Sequence, residues 1–281
     1  MTVIGSVGPE GLHRVGARPR LLTYLKQAWE RRDFAFELAR SRIEASNGRN
    51  RLGMLWVVLK PTLNALMYGA IFGLLQGDSR PPGFPMYVVI GVFLFEFFSQ
   101  SMNQGAKSIT GNTALVQSLS FPRITLPLAT VLQQLLTLAP MLGVMYIYCL
   151  ILGAKPSWSW LLVLPLVGIY TLFNTGVALV AARLTVHVRD LTQLLPLINR
   201  LLFYTSGVLF SVDRILSMLP VMVTLFDFHP IYQTLQIARG CIMGTEYPIE
   251  YWAYLSIWSV LLLIFGILFF WVAEERYGRV N

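Results

Sequence analysis

Apolar residues fill six stretches of this chain with few charges among them, over residues 54–75, 86–103, 126–152, 158–182, 191–212 and 251–273. Each has roughly the twenty residues that a helix needs to cross a bilayer. Ahead of them the pattern is one-sided. Leu22, Trp29, Phe36 and Ile43 recur at heptad spacing with Leu25 and Ala39 between, while Lys26, Arg31, Arg32, Asp33 and Arg40 lie mostly off that stripe. This predicts an amphipathic helix over 21–48 in the membrane interface, apolar face on lipid or bundle and cationic face toward anionic headgroups, stopped at Asn47-Gly48. A soluble helix packed on another subunit would carry the same pattern. Residues 1–20, rich in Gly, Pro and Arg, read as a flexible tail, 54–273 as one transmembrane domain and 274–281 as a second tail.

Two polar interruptions stand out. Residues 111–127, GNTALVQSLSFPRITLP, are too short and too polar to cross a membrane. They still read as a helix, with Asn112 as N-cap, Leu115, Val116 and Leu119 on one face, and Phe121-Pro122 as the stop. A one-faced apolar helix outside the bilayer must pack on something, either a partner protein or a lipid surface. The other interruption precedes the last span. Residues 215–226 are apolar but broken by Pro220, and 231–243 follow Pro230, so both fit short re-entrant or interfacial helices. They could form a lid over an exit, with Asp213, Asp227, His229 and Arg239 as gate residues, or simply be packed loops.

Composition agrees with an all-α integral membrane protein. The chain is 55% hydrophobic, 13% charged, and has mean hydropathy +0.60; a soluble domain carries about twice that charge. The net charge of +8 points to basic cytoplasmic loops rather than to nucleic acid. Arg40, Arg42, Arg49, Arg51, Lys107, Arg123, Arg183, Arg189, Arg276 and Arg279 fall on one side of a six-span arrangement, against Arg80, Lys155, Arg214 and Arg239 on the other. Both termini and the 111–127 segment are therefore expected in the cytoplasm. The N-terminus has no continuous apolar core of a signal peptide. Cys149 and Cys241 have no metal spacing and read as packing residues.

None of Lys26, Lys60, Lys107 and Lys155 follows a glycine, so the chain has no Walker A loop and no ATP site of that kind. There is no Gly-x-Ser-x-Gly elbow, and His13, His187 and His229 lie in tails and loops. Two charges do fall within spans, Glu96 in the second and Arg200 in the fifth. Such groups are costly in hydrocarbon unless paired or facing a wet cavity, so they either pair structurally or line a polar path. Lys60-Pro61 near the start of the first span fits a snorkelling lysine and a kink. Aromatics crowd the first, second and fifth spans, where they can stack on sugar rings or fill a core.

Four segments together resemble the membrane subunit of type 2 ABC exporters for polysaccharides, the group that moves O-antigen, capsule, teichoic acid and galactan chains. They are RLGMLWVVLKP (51–61), LVQSLSFPRITLP (115–127), VRDL (188–191) and HPIYQTLQIARG (229–240), in that order. The likeness runs from about Leu21 to the end, and its overall character is nearest the actinobacterial galactan exporters. Val188 departs from a common aromatic, Gly207 from a common proline after Ser206, and His229 from the usual Asn before Pro230.

The resemblance implies a homodimer bound to two copies of a separate ATPase, which would hold ATP and Mg; this chain would bind no cofactor. It assigns the ATPase contact to Asn112, Leu115, Val116, Leu119, Phe121, Pro122 and Arg123. It assigns the channel to Tyr68, Phe72, Glu96, Arg200 and Tyr204. The substrate would be a lipid diphosphate-linked polysaccharide whose anionic head suits Arg49, Arg51 and Lys60 at the inner surface. Rival readings are a small-molecule ABC-2 efflux permease, a membrane enzyme of glycan-lipid metabolism needing clustered carboxylates, and a proton-coupled carrier using Glu96.

Overall fold

A computed structural model describes residues 19–47, 51–53, 55–77, 80–118, 121–212 and 220–277. Arg49, Leu119 and Asp213 lie outside them. The described residues form helices and no strand: α1 (Leu21–Glu30), α2 (Arg32–Asn47), α3 (Leu55–Gln76), α4 (Phe84–Ala106), α5 (Thr113–Ser118), α6 (Thr125–Ile151), α7 (Val163–His187), α8 (Leu191–Thr205), α9 (Pro220–Asp227), α10 (Pro230–Met243), α11 (Glu250–Val272) and α12 (Glu274–Tyr277).

Five of these are long and apolar enough to cross a membrane: α3, α4, α6, α7 with its leading 3-10 turn, and α11. The expected fifth crossing at 191–212 is helical only over α8, whose 15 residues span about 22 Å, short of the roughly 30 Å hydrocarbon core. The break has a local cause. Gly207 sits at φ +65°, a left-handed conformation that only glycine adopts without strain, and the chain leaves the helix there. The freed carbonyls must be bonded inside the protein at this depth. Tyr87 Oη donates to the oxygens of Gly207 (3.1 Å) and Phe210 (2.7 Å), Gln76 Nε2 to that of Leu209 (2.8 Å), and Arg239 Nη2 to that of Val208 (3.1 Å).

The bundle is layered around α4, which is apolar all round and buried along most of its length. α3, α6 and α7 pack on it, and α11 packs on α7. The α7–α11 crossing is close because two glycines meet: a Cβ on Gly176 would lie 2.7 Å from the carbonyl of Leu262, and one on Gly266 would lie 2.8 Å from the oxygen of Gly176. α11 buries one stripe, Tyr251, Leu255, Ser259, Gly266 and Phe270, and turns Ile257, Leu261, Ile264 and Leu268 outward.

The N-terminal segment is amphipathic, but it is two helices broken at Arg31 (φ −95°, ψ 16°). Its bundle-facing residues are Tyr24, Ala28, Ala35 and Ala39, all buried, while Leu22 and Trp29 of the heptad stripe are 82% and 69% exposed. Tyr24 and the three alanines dock, and the large Leu22 and Trp29 face outward. The expected tail also docks: Glu274 and Tyr277 are 5% and 1% exposed. α3 runs through Pro61 as a single helix.

Candidate functional site

At the end of the bundle where α4 ends and α6 begins, the 111–127 segment folds into a 3-10 turn, the short helix α5 and a return to α6. Asn112 does not cap α5 as its position suggested. It lies within the 3-10 turn, and its Nδ2 donates back to the Ser108 oxygen at 2.8 Å. Of the expected apolar face, Val116 is covered and Leu115 partly covered by this chain's own residues. Val116 is 5% exposed in a cluster with Tyr24, Ala28, Phe270 and Tyr277, with Leu115 and Phe121 against it. Phe121 also meets Phe34, centroids 5.5 Å apart. The physical premise was sound, since a one-faced helix must pack, but α1, α2 and α12 supply the partner. Ala114, Gln117 and Ser118 form the outward side.

Arg123 is drawn into the interior too. Its Nη1 pairs with Glu274 Oε1 at 3.4 Å and donates to the Glu274 oxygen at 3.1 Å, and its backbone N–H donates to Glu274 Oε1 at 3.1 Å. The other carboxylate oxygen accepts from Tyr24 Oη at 2.6 Å, and that hydroxyl accepts from the Ile124 N–H at 3.1 Å. One buried knot thus ties α1, the loop into α6 and α12. Burial lifts Glu274 above its ordinary carboxylate pKa despite these bonds, and burial and the neighbouring carboxylate lift Tyr24 well above the ordinary phenol value. Glu274 was missed because it follows the last span in a run that reads as a charged tail. Pro122 is buried, and its oxygen accepts from Thr125 Oγ1 at 2.7 Å, which starts α6.

Glu96 and Arg200 are brought together without an ion pair among the described residues. They line one cavity of 180 Å³ between α3, α4 and α8 with Tyr68, Asn199 and Tyr204. Glu96 accepts instead from Gln100 at 2.8 Å. The Asn199 side chain, 7% exposed, makes no hydrogen bond through either amide atom among the described residues. Tyr68 packs on Phe203 at 5.0 Å, whereas Phe72 sits against the hydrophobic core outside this cavity. Lys60 lines a second cavity of 570 Å³ that also reaches Glu96, and Arg51 is exposed in the turn before α3.

The candidate gate residues of the opposite end have structural bonds. Arg239 is 1% exposed, with Cζ 3.3 Å from the centroid of the Tyr87 ring. Gly91 makes room for it, since a Cβ there would lie 2.8 Å from Arg239 Nη2. Asp227 accepts from the Tyr251 hydroxyl, joining α9 to α11. His229 caps α10: its Nδ1 accepts from the Tyr232 N–H at 3.3 Å, the bond an Asn would make at the same place. Burial lowers its pKa, which keeps the ring neutral and able to accept.

Apolar helices of crossing length packed on a largely apolar core, with short helices docked at one end, define a multi-pass membrane protein. The chain belongs to the family of ABC-2 type transporter membrane proteins, which it matches over residues 38–243. It is 26% identical over 230 residues, 82% of this chain and 87% of the relative, to the O-antigen export system permease protein RfbA of Klebsiella pneumoniae. It is 26% identical over 195 residues, 69% and 75% of the two chains, to the protein of the same name from Myxococcus xanthus. With the polysialic acid transport protein KpsM of Escherichia coli it shares 22% identity over 244 residues, 81% and 88% of the two chains.

Proposed function

We propose that this chain is the permease subunit of an ATP-driven exporter of a lipid diphosphate-linked polysaccharide, acting as a homodimer in the bacterial cytoplasmic membrane with both termini inside. ATP and Mg belong to a separate ATPase chain, two copies per dimer. The names of the relatives support a polysaccharide as cargo, and galactan is the glycan to test first. The observation that carries the reading is the polar cavity at Glu96, Asn199, Arg200 and Tyr204, set in an otherwise apolar face. Only Pro61 and Ala65 of α3, and Leu195 and Asn199 of α8, are buried. The exposed faces of these two helices suit a second copy, with a sugar path between the copies on which Asn199 and Tyr204 offer amide and hydroxyl groups. The ATPase docks on the outward side of α5, at Ala114, Gln117 and Ser118, while Val116 and Arg123 hold that helix to its own chain.

The test is export and co-purification together. The tagged chain from native membranes is expected to bring an ATPase with it, and Arg200→Leu to abolish glycan export with the membrane level unchanged. Normal export by Arg200→Leu would refute the path, and the absence of any ATPase would refute the exporter.

A further inference from the structure

A crevice of 780 Å³ opens between α2, the end of α4 and α6, away from the cavity just described. Two cations border it, Arg42 from α2 and Lys107 at the end of α4. Arg42 is half anchored. Its Nη1 donates to Thr130 Oγ1 on α6 at 2.9 Å, and its Nη2 is buried with no hydrogen bond among the described residues. Ser108 Oγ, also buried there, has none either. Buried donors without acceptors are uncommon and call for a ligand or an ion. Glu44, the acid of this crevice, is engaged by Arg40 at 3.2 Å.

The crevice continues toward the bundle interior. Ser46, Gln104 and Gln133 line both it and the 570 Å³ cavity that holds Lys60, Gln100 and Gln134. A cationic mouth thus leads into a groove walled by carboxamides, which donate to and accept from hydroxyls. Planar guanidinium and ammonium groups suit phosphate oxygens, and amides suit the sugar that follows.

We propose that this crevice, within a single copy of the chain, receives the diphosphate of a lipid diphosphate-linked glycan. Arg42 and Lys107 hold the phosphates, and Gln104 and Gln133 meet the first sugar. The proposal rests on the exporter reading for its ligand class.

Full-length chain in nanodiscs of neutral lipid is titrated with a fluorescent polyprenyl diphosphate. Arg42→Gln and Lys107→Gln should each weaken binding at least tenfold, and Arg189→Gln, an exposed arginine elsewhere on this end, should leave it unchanged. Arg42→Gln also loses the bond to Thr130, so Lys107→Gln, at an exposed side chain with no bond among the described residues, decides if the first variant is unstable. Unchanged binding by a folded variant of either cation overturns the site. Displacement by phosphatidylglycerol or by inorganic pyrophosphate as readily as by the polyprenyl ester also overturns it, in favour of a general lipid or a free-diphosphate site. Binding that depends on both cations, in a chain that recruits no ATPase, would refute the exporter reading and leave the site standing.

Discussion

Replacing Glu274 by Leu tests how α1, the loop into α6 and α12 are held together. The carboxylate is 5% exposed and takes bonds from Tyr24 Oη, Arg123 N–H and the Arg123 guanidinium. Leucine fills the volume but accepts nothing, so the Tyr24 hydroxyl and the Arg123 N–H lose their acceptor, and the Arg123 guanidinium, with its side chain 21% exposed, keeps only the backbone oxygen of residue 274. Removing one partner of a buried ion pair costs about 3–5 kcal/mol, and each neutral donor left unpaired adds about 1–3 kcal/mol. Local relaxation toward solvent offsets part of this, and about 4 kcal/mol is a fair net figure for opening the knot. That corresponds to about a thousandfold in the opening equilibrium. Hydrogen exchange of the full-length protein in nanodiscs reads it directly, at the Ile124 amide and in α1. Protection there should fall by two to three orders of magnitude while α4 and α7 keep theirs. The double variant Arg123→Met/Glu274→Leu should recover much of the loss, because an apolar pair replaces the ions without stranding either. Unchanged protection at Ile124 in Glu274→Leu, or a double variant worse than the single, would refute the reasoning.

Other outcomes follow from the same buried contacts. Because Glu274 is lifted by burial above its ordinary 4.5, the folded state binds this proton more tightly than the unfolded chain. The knot should then strengthen as pH falls from neutral toward 4.5 and weaken as pH rises through the raised value; Glu274→Gln should flatten the profile of Ile124 protection, corrected for intrinsic exchange. His229→Ala should cost about 1 kcal/mol by loss of the α10 cap and His229→Asn nearly nothing, measured as thermal stability in detergent. Gly176→Ile should lower that stability by several kcal/mol or block accumulation, since even its Cβ meets the Leu262 backbone; near-native behaviour would mean the two helices are not held this closely.

The sequence by itself determined the class. Apolar density and length place α3, α4, α6, α7 and α11 because a bilayer selects for continuous runs, and such runs are visible without contacts. It also marked candidates: Glu96 and Arg200 stand out because ions in apolar segments are rare, and the 111–127 segment because it breaks the pattern. Partners were beyond it. Amphipathicity says that Val116 must be covered but not by what, and the covering surface comes from α1 and α12, at opposite ends of the chain. Arg123 reads as an exposed loop cation until Glu274, 151 residues away, is folded onto it. Arg239 reads as an external charge until the broken helix at Gly207 presents carbonyls that need a donor. These assignments depend on contacts between distant residues, and side-chain chemistry names what a group can bond to without saying which group will be there. The tertiary structure decided that.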